Sequence, residues 1–468
     1  MKMPTVVKKR LLDVLQDDHK SYYELFNFFL DSDVSNFEKE KMAVNLLTQE
    51  LERVDTCAVH LPQRIEDIKD WYIIENKLVC EKYQAYLSRR QQGKEREYFK
   101  NIGHAFEFLI KVAPTKKVDG SWLYSFVNYW SDPDFHHLIS IYLEELGVGV
   151  AESNHVCIYD ELLRSLGLED FDIFLEDEYY HQAVIQLALG YAPPEFIPEI
   201  VGFNLGYEQL PLHLLITNYE LKELGIDSKY FNLHITIDNL DNGHAHKSIK
   251  ALENIYKKYK CKDTFVEKVK RGYALNQHGM TSMQIIQHLD LEKFLYKILK
   301  RKALIGALVH NDKCQIGGKS INQWLNDQND IEAFVQQLIE KKWIRFNTNP
   351  EHSPFWRMIS HEDGKMYGVF NSTEKQIIYD WIAGEQYPSN PLPYQKIINL
   401  NQYSFHSQHH HEEIDQLQQR VEQLTHFSLK LCKLSPFLAP DTHHKSIGLW
   451  STQKYTELLF PYLIHSKS

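Results

Sequence analysis

Long stretches of this chain contain neither glycine nor proline, and that shortage limits its fold more than any other feature. Twenty glycines and 16 prolines punctuate 468 residues. A turn-rich all-β fold draws on these residues at hairpin after hairpin, whereas helices need few. Apolar residues recur at three- and four-residue steps in "YYELFNFFL" and "NFEKEKMAVNLLTQELERV", the spacing of one buried helix face. Short breaks at "LGVG", "YAPPEFIP" and "KELGID" separate further helix-like runs between about 100 and 300, and connections of that length suit a compact bundle. The expected fold class is all-α.

The length predicts more than one domain. Residues 1–95 read as an N-terminal helical segment, 96–305 as the main helical domain, 306–385 as a helical extension and 386–468 as a linker with terminal helices. "LSRRQQGKEREYFKNI" is a charged connector, and "APTKKVDGSWLYSFVNYW" reads as a loop entering a helix near Ser121. "INQWLNDQNDIEAFVQQLIEKKWIRF" gives amphipathic helices. Ser372 and Glu374 lie near the start of another helix, ending at about Ile382, before the linker "GEQYPSNPLP".

Several function classes are not expected. The chain carries 52 basic against 63 acidic residues, a net charge of −11, so a nucleic-acid partner finds no matching surface. "MKMPTVVKKRLLDVLQDDHK" lacks the apolar core of a secretory signal, and no run of eighteen apolar residues predicts a membrane span. Six well-separated cysteines without a CxxC pair fit reduced thiols in a cytoplasmic protein, not a zinc finger.

The densest ligand chemistry is "YFNLHITIDNLDNGHAHKSI", Tyr230 to Ile249. Local propensity favours a strand through "LHITI" and a turn at "DNG". On a helix, Asp238 would lie about 40° from His234 and Asp241 about 20° to the other side, with His244 roughly 80° off. A kink at Gly243 would be needed to bring His244 in. Two further segments offer partners. In "YLEELGVGVAESNHVCIYDELL", either Glu145 or Glu152 could accompany His155, and in "GFNLGYEQLPLHLLI" Glu208 sits among apolar neighbours. A buried carboxylate there needs a partner, and metal is one. Iron that reacts with oxygen suits such mixed carboxylate and imidazole sets, which helical bundles supply from several helices.

These residues resemble the iron-containing redox enzymes of the haem-oxygenase-like dimetal oxidase superfamily. The resemblance runs through Glu145 and the glycine-containing break to His155, then Glu208 in "GFNLGYEQ", then "LHITIDNLDNGHA". "VDGSWL" upstream and "SPFWRMIS" with "GKMYGVFNSTEKQIIYDWI" downstream extend it over roughly residues 100 to 385. It implies a haem-oxygenase-like helical bundle with additional N- and C-terminal helical segments. It implies two ferrous ions, no haem, and dioxygen as co-substrate in the oxidation of a small organic substrate. Glu145, His155, Glu208, His234 and Asp238 become ligands by this resemblance, with Asp241 or His244 as the last. A homodimer stays open. Two rival readings are a metal-free enzyme of the same fold and a non-enzymatic helical interaction protein.

Other conspicuous residues have plainer readings. His246 is expected to be an exposed neighbour, and the tract His406 to His411 a solvated segment despite its metal-like composition. Trp122, Trp130 and Trp356 are expected in the core, and Cys157 as a packed thiol.

Overall fold

The computed structural model describes residues 20–56, 59–171, 175–237, 243–307, 310, 313–385 and 408–465. It is built from α-helices and short 3-10 turns, with one antiparallel pairing of Gln315–Ile316 with Lys319–Ser320 among the described residues. The helix starts are written in the sequence. Ser21 and Ser35 each accept a hydrogen bond from the backbone of a glutamate three residues on, Glu24 and Glu38, whose carboxylates bond back. These reciprocal pairs open helices Tyr22–Leu30 and Asn36–Arg53. Asn371 and Glu374 do the same for Ser372–Ala383, one residue from the expected end.

The apolar core falls into two clusters. One gathers Phe29, Leu47, Trp122, Tyr142, Leu187, Phe203 and Leu252 with Tyr455 near the C-terminus. The other gathers Phe99, Phe108, Tyr159, Tyr230, Leu295, Trp356 and Ile377. Trp122 and Trp356 are buried, while Trp130 is half-buried.

The charged connector before residue 100 is pinned in place. The buried Glu220 carboxylate accepts from the backbone N–H groups of Glu97 (2.5 Å), Tyr98 (3.0 Å) and Phe99 (2.9 Å) and from the Tyr86 hydroxyl (2.8 Å). Burying that charge is tolerable because every donor points at it. The C-terminal part docks on the first cluster. The Tyr455 hydroxyl donates to the Val127 carbonyl at 2.6 Å, and the Tyr142 hydroxyl donates to the Leu438 carbonyl.

Two local expectations are corrected. Residues Ser121–Tyr129 form a run of 3-10 turns rather than a regular helix. The preference of "LHITI" for a strand is overridden, since Lys229–Ile237 is helical and buries Tyr230, Phe231 and His234. Packing of one face decides where β-branched residues alone would mislead. Among the described residues, no helix is long and apolar enough to cross a membrane.

Candidate metal centre

Two polar groups face each other where the two apolar clusters meet. Asp119, Glu145, His155 and His234 present ligand atoms within 4.8 Å of one another, and so do Glu145, Glu208 and His244. Glu145 belongs to both.

Most of these side chains sit at helix ends, not along helix faces. Glu145 closes His136–Glu145, and His155 opens His155–Ser165. Between them Gly147, Val148 and Gly149 all have positive φ, so the chain reverses and the two side chains meet. Gly147 is required there: a Cβ would lie 2.3 Å from the Asn154 nitrogen. Asn154 then caps the second helix, accepting from the Cys157 N–H at 3.1 Å. Glu208 is the C-cap of Ile197–Tyr207. Helix C-termini carry partial negative charge, so Glu145 and Glu208 extend potentials that favour cations.

Asp119 comes from the loop after Ile102–Lys116 and is fully buried. Its neighbour Gly120, at φ 77°, passes directly over Glu145, where a Cβ would sit 2.8 Å from that of Glu145. This close approach places Asp119 Oδ2 3.0 Å from His234 Nε2 and 3.4 Å from His155 Nδ1. The Tyr230 hydroxyl donates to the same oxygen at 2.6 Å. Glu145 Oε2 lies 2.5 Å from His155 Nδ1, and Glu145 Oε1 3.1 Å from His244 Nδ1. Glu208 Oε2 reaches His244 Nδ1 at 3.2 Å.

The imidazoles are oriented from behind. His234 Nδ1 can only donate to the Tyr230 carbonyl, 2.9 Å away, which turns Nε2 towards Asp119. His244 Nε2 lies 3.0 Å from Glu144, itself held by Lys247, so Nδ1 is turned towards Glu145 and Glu208. Carboxylate- and carbonyl-backed imidazoles of this kind are the usual support of metal-ligating histidines.

The donor set fits divalent cations. Three carboxylates are buried together, and Asp119 Oδ1 and Glu208 Oε1 have no hydrogen-bond partner among the described residues. Lone pairs that meet lone pairs in a dry site are costly unless a cation lies between them. Hard oxygens and imidazole nitrogens suit iron, and no cysteine joins these groups among the described residues.

Without metal, the charges compensate one another. Burial lowers His155, but the Glu145 and Asp119 carboxylates outweigh it and lift its pKa to about 9. Burial raises Glu145, yet His155 and His244 bring it down to about 2. His244 is likewise held well above its usual range, against burial, by Glu208, Glu144 and Glu145. His155 therefore contributes stability that is full below its ordinary 6.5 and lost as pH rises through about 9. Glu145 contributes stability present above 4.5 and lost as pH falls through about 2. Chelator-treated protein should lose thermal stability between pH 6.5 and 9.5, while metal affinity rises over the same interval because the ion displaces the His155 proton. Calorimetry in buffers of different ionisation enthalpy should show proton release on binding. Metal affinity that is flat across this range would contradict the competition.

Of the residues expected from sequence, the structure brings together Glu145, His155, Glu208, His234 and His244. Glu152 is exposed and apart. Gly243 is extended, at ψ −166°, and the fully buried His244 begins a separate helix, His244–Lys258. Asp238 and Asp241 lie outside the described residues, as do the side chains of His406 to His411. His246 is half-buried rather than exposed, since the first turn of its helix packs inward. Cys157 is half-buried against the His444 carbonyl at 3.4 Å. Asp119 and Glu144 were not expected, although Asp119 opens the "DGSWL" part of a stretch that carries the resemblance.

Residues 106–277 match the family model described as iron-containing redox enzyme, and all of Asp119, Glu145, His155, Glu208, His234 and His244 fall inside that span. No curated protein and no solved structure matches the chain.

Proposed function

Proceeding from the match of residues 106–277 to the iron-containing redox enzymes, we propose that this chain is a non-haem diiron oxidase or oxygenase. It would act with dioxygen on a small organic substrate. The observation that carries this reading is the shared Glu145 between two groups of buried ligands, each holding at least one imidazole. Bound iron would supply one-electron chemistry and sites for dioxygen.

The protein's own residues hold, orient and shield. Asp119, His155 and His234 with Glu145 would hold one ion; Glu208 and His244, also with Glu145, would hold its neighbour. The Tyr230 carbonyl and Glu144 fix the rings of His234 and His244. Tyr230 packs at 4.6 Å from the His234 ring, with Tyr159 4.8 Å behind it. Trp122 and Tyr207, 4.2 Å apart, stand on the side of Glu208. These aromatic walls exclude bulk water, which strengthens every charge interaction inside. At one edge the Lys116 ammonium lies 3.5 Å from the Tyr207 hydroxyl and over the Tyr230 ring at 5.6 Å.

Metal-free protein reconstituted anaerobically should take up close to two ferrous ions in the central site and then consume dioxygen. Failure to hold iron, or retention of one haem instead, would overturn the reading.

A further inference from the structure

We propose that Glu50, His181 and His278 form a second, peripheral site for a divalent transition-metal ion of the zinc type. These residues come from three separate parts of the chain. Glu50 projects from Asn36–Arg53, His181 opens His181–Tyr191, and His278 follows the 3-10 turn Leu275–Gln277. Their ligand atoms lie within 4.8 Å of one another, and none of the three belongs to the central groups. Glu50 and His278 also lie outside the span of the family match.

The geometry converges on one oxygen. His181 Nε2 lies 2.9 Å and His278 Nε2 2.8 Å from Glu50 Oε2. The other oxygen, Oε1, is engaged by Arg53 at 3.3 Å, which leaves Oε2 to act as a single donor. Both rings are held before any ion arrives. Tyr22 stacks on His181 at 4.0 Å and 16°. The Gln182 amide donates to the carbonyls of Leu275 and His278, each at 2.6 Å, and so fixes the turn that carries His278. Such support from behind is what distinguishes prepared ligands from a chance meeting of side chains.

The donor set selects the ion. Two imidazole nitrogens and one carboxylate oxygen suit zinc, and cobalt as its spectroscopic substitute; calcium and magnesium prefer oxygen alone. Glu50 is 1% exposed, whereas the side chains of His181 and His278 are 12% and 23% exposed. The site is therefore closed on the carboxylate side and open to solvent on the imidazole side, where water would complete a tetrahedral set around a bound ion. A bound ion would tie the N-terminal helices to two parts of the chain more than a hundred residues away, and its binding free energy would add to folding.

The test is a zinc count on chelator-stripped, full-length protein after dialysis against zinc alone. The Glu145→Ala background, which cripples the central site, isolates the peripheral one. In both backgrounds His278→Gln, which keeps a hydrogen-bonding side chain, should lower bound zinc by one equivalent per chain. Zinc should also raise the melting temperature of Glu145→Ala, and His278→Gln should abolish that rise. Should the double variant fold poorly, cobalt added to Glu145→Ala alone must give the visible absorption of a tetrahedral nitrogen and oxygen site. Equal zinc counts with and without His278, or no such cobalt spectrum, would overturn the proposal whether or not the central site holds iron.

Discussion

Glu145→Ala should leave the protein with less than one iron per chain and no measurable oxygen uptake. Its two oxygens face His155 and His244 in different groups, 2.5 and 3.1 Å away, so one substitution removes a ligand from each. Loss of a supporting residue behind a ligand costs about ten- to a hundred-fold in metal affinity, and loss of a shared ligand should exceed that for both ions. His244→Ala provides the contrast, because it touches one group and should retain about one iron. Metal analysis after anaerobic reconstitution decides the matter. Two irons bound to Glu145→Ala would refute the shared arrangement.

Asp119→Ala should strip about one iron and leave the Glu208 and His244 half able to bind. Asp119 Oδ2 faces both His155 and His234, and Oδ1 is buried without a partner among the described residues. Two hydrogen-bonding imidazoles hold its pKa well below the ordinary carboxylate range against complete burial, so it is an anion ready for a cation. Asp119→Asn keeps the shape and removes the charge. It should lose iron as Asp119→Ala does while melting closer to the parent protein, which separates ligation from packing. Unchanged iron in both variants would remove Asp119 from the centre.

How much of this was legible in the sequence depends on the kind of signal each residue leaves. The all-α class was readable because periodic apolar faces and serine or asparagine caps are local. Glu145, His155, Glu208, His234 and His244 could be found because a resemblance ordered them along the chain. Helical geometry could not have done so, since the break at Gly147–Gly149 makes the angle between Glu145 and His155 irrelevant. Asp119 left no local signal. It lies in a polar turn whose residues also serve as ordinary turn formers, and its approach to the histidines accompanies the passage of Gly120 over Glu145. Glu144 was hidden for a different reason. Next to a candidate ligand in the sequence, it meets His244, a hundred residues on, only in three dimensions. The strand preference of "LHITI" failed because Tyr230, Phe231 and His234 gain more from one buried helical face than β-branching costs.

The placement of Glu145 between the two groups has a thermodynamic consequence. Ions that share a ligand cannot bind independently. Whatever the first does to the second, by ordering this carboxylate or by drawing off its charge, the second must do equally to the first. On the proposed two-iron reading the centre would act as a single receptor for a pair of ions, and its half-loaded state would have an affinity that neither group would show alone.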